Sequence, residues 1–175
     1  VTDILRRLGG QQCTSYSFLS ERRARLFNDD LSSLVPIVNP DTGDQHFMTG
    51  SLIPCLVDAV ARNLRRGERP GLLFEIGHVS FLGSAEHQAQ YVLSSEKKDF
   101  CERRSLAAIF GEGFIAPPHT APDFSEESPF YVIKGIVLSL LKKLGIEEIS
   151  LRKFRYRPFA ENKAFEILAR ETVIG

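Results

Sequence analysis

The chain has 175 residues, 43% of them hydrophobic and 25% charged, with 22 basic side chains balanced by 22 acidic ones. That length and composition suit one domain with a sizeable core, and the neutrality removes any global electrostatic drive toward nucleic acid. No apolar run approaches the roughly 20 residues that span a bilayer and no signal peptide is visible, so a cytoplasmic protein without a membrane partner is expected.

Thr2-Asp3 can start a short helix over Ile4 to Leu8, stopped by Gly9-Gly10. Gln12 to Leu19 alternates and suits a strand, and Ser20-Glu21-Arg22-Arg23 begins a short solvated helix. Leu34 to Val38 is a short apolar strand ending at the Asn39-Pro40 turn. Ser51 is the expected cap of an amphipathic helix, with Pro54 in its first turn, where a missing N–H costs little. Leu52, Leu56, Val60 and Leu64 form the apolar stripe, widened by Ile53 and Val57, and Gly67 ends the helix after Arg62, Arg65 and Arg66. Leu72 to Phe81 reads as a central strand.

Gly83 to Gln90 is a polar connection, Tyr91 to Leu93 and Ser105 to Phe110 suit strands, and Ala116 to Ser128 suits an exposed loop. Ser128-Pro129 opens a second helix with Phe130, Ile133, Val137, Leu140, Leu141 and Leu144 on one side and Gly145 as its stop. Leu151 to Tyr156 alternates, and Ala164 to Ala169 with Val173 onward flanks a hairpin turn. This order favours an α+β fold with a largely antiparallel sheet. The chain starts at Val1 and stops at Gly175 within a strand-like stretch, so residues 1–175 are expected to be one domain excised from something longer.

Chemistry is sparse. Cys13, Cys55 and Cys101 are widely separated, odd in number and without CxxC spacing, which argues for a reducing compartment and against a disulfide framework or zinc site. A cysteine hydrolase would need one of these thiols beside a histidine, and His46, His78, His87 and His119 show neither that spacing nor metal-ligand spacing. Gly111-Glu112-Gly113 carries a carboxylate that would repel phosphate, so it reads as a turn; the Asp29-Asp30 and Glu126-Glu127 pairs read as solvated charge. Glu75, inside an apolar strand, either pairs with an arginine or faces water. Arg62, Arg65 and Arg66 form a basic helix end that complements the helix dipole or contacts RNA, with no aromatic platform beside them in the sequence.

One set of motifs reaches further. Asn39-Pro40, Met48-Thr49-Gly50-Ser51-Leu52-Ile53-Pro54, Asn63-Leu64-Arg65-Arg66 and Phe74-Glu75-Ile76-Gly77 follow one another at spacings that resemble the beta chain of bacterial phenylalanyl-tRNA synthetase. Ile133-Lys134-Gly135 and Glu171 to Gly175 are similar to that family's Leu-Lys-Gly helix and its late hairpin. The resemblance implies a class II synthetase-like fold, a mostly antiparallel sheet flanked by helices. It further implies a catalytic-like domain that packs against the active alpha chain in a heterotetramer. The whole enzyme would join phenylalanine to tRNA using ATP and magnesium, with the alpha chain, the rest of the beta chain and tRNA as partners. Asn39, Pro40, Met48, Ser51, Leu52, Pro54, Asn63, Phe74, Glu75, Gly77, Lys134 and Gly135 then become family-motif and candidate interface positions.

Two departures bear on chemistry. Phe81 stands where active relatives place an arginine, and a phenyl ring cannot hold a phosphate's charge. Thr49 replaces the family's arginine after Met48, and Ala160 to Phe165 keeps only Lys163 as a basic residue of another family segment. No catalytic, cofactor or metal residue is therefore assigned to this chain. A non-catalytic scaffold is the leading expectation; the alternative is an RNA-binding module using Arg62, Arg65 and Arg66.

Overall fold

The computed structural model describes residues 1–28, 30–82, 100–110, 129–155, 159 and 164–175. Helix α1 (Thr2–Arg7) stops at Gly9, whose φ of 82° lies in the left-handed region, and leads into strand β1 (Gly10–Gln12). Strand β2 (Phe18–Leu19) and helix α2 (Glu21–Phe27) follow, then β3 (Phe47–Met48) and helix α3 (Ile53–Arg65). The long strands β4 (Leu72–Leu82) and β5 (Phe100–Phe110) precede helix α4 (Pro129–Lys143). Strands β6 (Ile149–Phe154), β7 (Ala164–Ala169) and β8 (Thr172–Val173) come last.

Among the described residues the strands form three small sheets, ordered β1-β4-β5, β2-β3 and β6-β7-β8. All pairs are antiparallel except β1 with β4, which runs parallel from Gly10 opposite Leu72 to Gln12 opposite Phe74. Strands β4 and β5 pair over their full lengths, from Leu72 opposite Phe110 to Leu82 opposite Phe100. The expected α+β, mainly antiparallel character is present, although as three sheets.

Period-2 alternation gives β4 two different faces. On one, Phe74 is fully buried against Leu5 of α1 and Leu140 of α4, with Ile4, Ile76 and Ile136 packed around them. Burying each such side chain contributes roughly 1.5–3 kcal/mol. Gly10 lets α1 come this close: a Cβ there would lie 2.8 Å from the Leu5 carbonyl oxygen. On the other face, a Cβ at Gly77 would meet Leu52 at 3.1 Å, so the glycine admits the residue that begins α3.

Several expectations are corrected. The strand expected from Gln12 to Leu19 is broken between Gln12 and Phe18, where the backbone leaves the ladder to reach Glu75. Leu34 to Val38 forms only isolated bridges, Leu34 to Phe81 and Pro36 to Phe47. The strand expected to begin at Ser105 begins at Phe100. Leu52, not Ser51, occupies the N-cap position of α3, and the Ser51 hydroxyl accepts from the Ile53 N–H at 3.3 Å. Both helical stripes are also narrower than their apolar pattern. Leu56 is buried but Val57 and Leu64 are exposed; Leu140 and Leu141 are buried, whereas Phe130, Ile133 and Leu144 face out and Ile136 joins the core instead. The β7–β8 turn is a two-residue one, with Arg170 and Glu171 both at positive φ, as hairpin twist requires. The expectations for Gly83 to Gln90, Tyr91 to Leu93, Gly111 to Gly113, Ala116 to Ser128 and residues 160–163 lie outside the described residues, as do Asp29, His87 and His119. No helix of the described residues is long and apolar enough to cross a membrane.

Candidate functional site

Glu75 is buried on β4, away from water, and forms no ion pair with an arginine among the described residues. One carboxylate oxygen accepts from the Ser15 N–H at 2.7 Å, and the other from the Ser15 hydroxyl at 2.8 Å. The Cys13 N–H donates to the Phe74 carbonyl at 2.7 Å, so the chain continues along β4 for one residue past β1 before Ser15 turns onto Glu75. Two thiols line this junction. Burial pushes the pKa of Cys55 up, and the negative charge of Glu75 adds to it; Cys13 shifts upward for the same two causes. Ser15 and Arg23 act on Cys55 in the opposite direction, and Asp58 adds to the upward shift. Buried Thr49 closes the same region: its N–H donates to the Ser17 carbonyl at 2.9 Å and its carbonyl accepts from the Ser80 N–H at 2.8 Å.

Above this junction a groove runs between α2 and α3. The Ser20 hydroxyl caps α2 by accepting from the Arg23 N–H at 3.4 Å, which orients the first turn of α2 toward α3. Arg23 pairs with Asp58 across the groove. One cavity of about 410 Å³ is lined by Ser15, Tyr16, Phe18 and Cys55, together with Arg23, Asp58 and Arg62. A second, of about 350 Å³, shares those last three residues and adds Arg22, Leu26, Asp44 and Arg65. Of the predicted basic helix end, Arg62 and Arg65 line the groove, whereas Arg66 is the C-cap and lines neither cavity. Arg22 and Arg23 join them from a different helix. The fold also supplies the aromatic neighbour that the sequence around Arg62 lacks, since Tyr16 is 86% exposed at the groove's edge. Only the tertiary arrangement reveals this, because Tyr16 and Arg62 lie far apart in the chain.

On the other side of α3's N-terminus, a cleft of about 560 Å³ is lined by Ser51, Arg103, Ser105, Phe154, Phe165 and Glu166, among others. Arg103, opposite Val79 in the β4–β5 ladder, places its guanidinium 5.4 Å from the centre of the Phe81 ring. A cation therefore stands beside Phe81 after all, supplied by the neighbouring strand; the β4–β5 register was needed to find it.

The model of the phenylalanyl tRNA synthetase beta chain CLM domain family matches residues 1–175. The chain belongs to that family. It is 31% identical over 180 aligned positions to the phenylalanine–tRNA ligase beta subunit of Carboxydothermus hydrogenoformans, covering 100% of this chain and 21% of that protein. It is 28% identical over 143 positions to the corresponding subunit of Protochlamydia amoebophila, covering 82% of this chain and 16% of that one. The chain thus spans about a fifth of the length of these relatives. Among solved structures, PylSc, a pyrrolysyl tRNA synthetase of Desulfitobacterium hafniense, superposes with a TM-score of 0.60 at 14% identity, covering 98% of this chain and 51% of that one. This likeness concerns the fold and is consistent with a class II synthetase-like architecture.

The positions that carry the family resemblance do not converge on one site. Phe74 and Gly77 serve the packing on the two faces of β4, and Leu52 and Pro54 are buried where α3 begins. Met48 pairs with Phe18 in the β2–β3 ladder. Asn63 ends α3, its carbonyl accepting from the Arg66 and Glu68 N–H groups. Asn39 takes a φ of 60° at an exposed turn beside exposed Pro40. Lys134 and Gly135 lie on the exposed face of α4, where a Cβ on Gly135 would meet nothing within 4 Å. Glu75 has both oxygens engaged by Ser15, and among the described residues no group of three His, Cys, Asp or Glu is placed to hold a metal ion.

Proposed function

We propose that this domain is a non-catalytic scaffold of a phenylalanine–tRNA ligase beta subunit, which packs against and positions the alpha catalytic chain. In this reading ATP, magnesium and the reacting end of tRNA are handled by other parts of the enzyme, and the domain acts through its surfaces in a cytoplasmic heterotetramer. The observation that carries it is the outer side of α3. Its apolar stripe leaves the core at Val57 and Leu64, which are 37% and 54% exposed, on a helix whose inner side is fully used. Within the described residues α3 packs against α2 and the β4–β5 pair, and a helix that still leaves apolar residues exposed is suited to a further neighbour.

The test has two readouts. The domain should retain the alpha chain in a pull-down, and ATP–pyrophosphate exchange with phenylalanine should be absent from the domain alone while the reconstituted enzyme charges tRNA. Robust phenylalanine-dependent exchange by the isolated domain would overturn the reading.

A further inference from the structure

We infer that the α2–α3 groove docks an acidic segment of a partner protein that carries an apolar anchor residue; this rests on the scaffold reading and assigns the partner's side of it. The two adjoining cavities share Arg23, Asp58 and Arg62, so one extended segment can occupy both. The first cavity presents the rings of Tyr16 and Phe18 beside Arg23, Asp58 and Arg62, and an aromatic side chain can stack there. The second presents Arg22, Arg62 and Arg65, none of which has an ion pair among the described residues, whereas Arg23 is already neutralised by Asp58. Three exposed guanidinium groups on two facing helices can take carboxylates from outside, and their planar forks suit directional, paired hydrogen bonds to them.

A protein segment fits better than an RNA strand for two reasons. The lining is of mixed sign, and Asp44 would repel a continuous phosphate backbone, whereas a peptide can place its own cation beside it. Every basic residue before Lys97 is an arginine, and arginine with tyrosine and without lysine is the composition of protein interfaces.

The experiment uses the full-length beta chain and measures its affinity for the alpha chain at low and high salt. The Arg62→Glu, Arg65→Glu double variant is compared with Lys142→Glu, Lys143→Glu at the exposed end of α4. The groove variant should lose about tenfold or more in affinity, and the α4 variant should not. Because Arg62 and Arg65 are exposed, both variants should unfold at the wild-type temperature, which separates docking from folding. Unchanged affinity of the groove variant would overturn the docking site while leaving the scaffold reading intact. Lost tRNA binding with unchanged alpha-chain affinity would overturn it in favour of RNA. A wild-type beta chain that does not bind the alpha chain would overturn the scaffold reading and this site together.

Discussion

Glu75 shows how a residue inside a sequence motif can act through the chain it holds. Its two oxygens take both donors of Ser15, sixty positions earlier, and so fix the segment that floors the α2–α3 groove. Removing the carboxylate would leave a partly buried backbone N–H without its acceptor, which costs about 1–3 kcal/mol. Glu75→Ala should therefore lower stability by that amount in chemical denaturation. Glu75→Gln, which keeps one acceptor oxygen, should lose less. Equal stability of Glu75→Ala and wild type would mean that the Ser15 segment is not held from below. In sequence Glu75 reads only as a polar residue in an apolar strand, with a choice between an arginine and water. Its true partner is legible only once β1 and β4 are known to run side by side, because a serine carries no pattern that marks it as a carboxylate's donor. Arg103 was hidden in the same way: its relation to Phe81 depends on a strand register, which no local spacing encodes.

At the scale of elements, what local physics dictates was legible. A mostly apolar run locates β4, and a one-sided apolar pattern between Ser128-Pro129 and Gly145 locates α4. A short turn between two segments locates the β7–β8 hairpin, and a four-residue apolar period locates α3. What failed were features decided by neighbours: the break between β1 and β2, the two-residue strand β3, and the start of β5 at Phe100. The apolar stripe of α3 is instructive here, because its period is correct while its burial is not. Leu56 is fully buried against the sheet and Leu64, two turns later, is half out of the core. Leu56→Ala should cost about 2–5 kcal/mol through lost burial and the cavity left behind. Leu64→Ala should change stability by about 0.5 kcal/mol or less in the domain alone. Parallel denaturation curves of the two variants check this; a Leu64→Ala loss as large as that of Leu56→Ala would place Leu64 in the domain's own core and remove the main support for a docking face on α3.

For the whole molecule, 22 basic and 22 acidic side chains cancel, so self-repulsion does not set the limits of stability near neutral pH. On the alkaline side the buried thiols take over. Cys55 is buried beside Glu75, and burial followed by that negative charge holds its pKa above the ordinary thiol value of 9.0. A group whose folded pKa is raised binds its proton more tightly in the native state, so its contribution is complete below the unfolded value and is lost as pH rises through the folded one. Cys13 shifts in the same direction for the same two causes and adds to the effect. The melting temperature should therefore hold steady up to about pH 8.5, the unperturbed thiol range, and fall above it. Cys55→Ala keeps a small apolar side chain without a proton to lose, and should flatten part of that alkaline fall while costing some stability at pH 7. Thermal melts of the two proteins from pH 7 to pH 10.5 supply the comparison, and the quantity that matters is the difference between them, in which every contribution common to both cancels. Identical alkaline slopes would mean that Cys55 is as readily ionised in the folded chain as in the unfolded one, and that the junction of Glu75, Ser15 and Cys55 admits water.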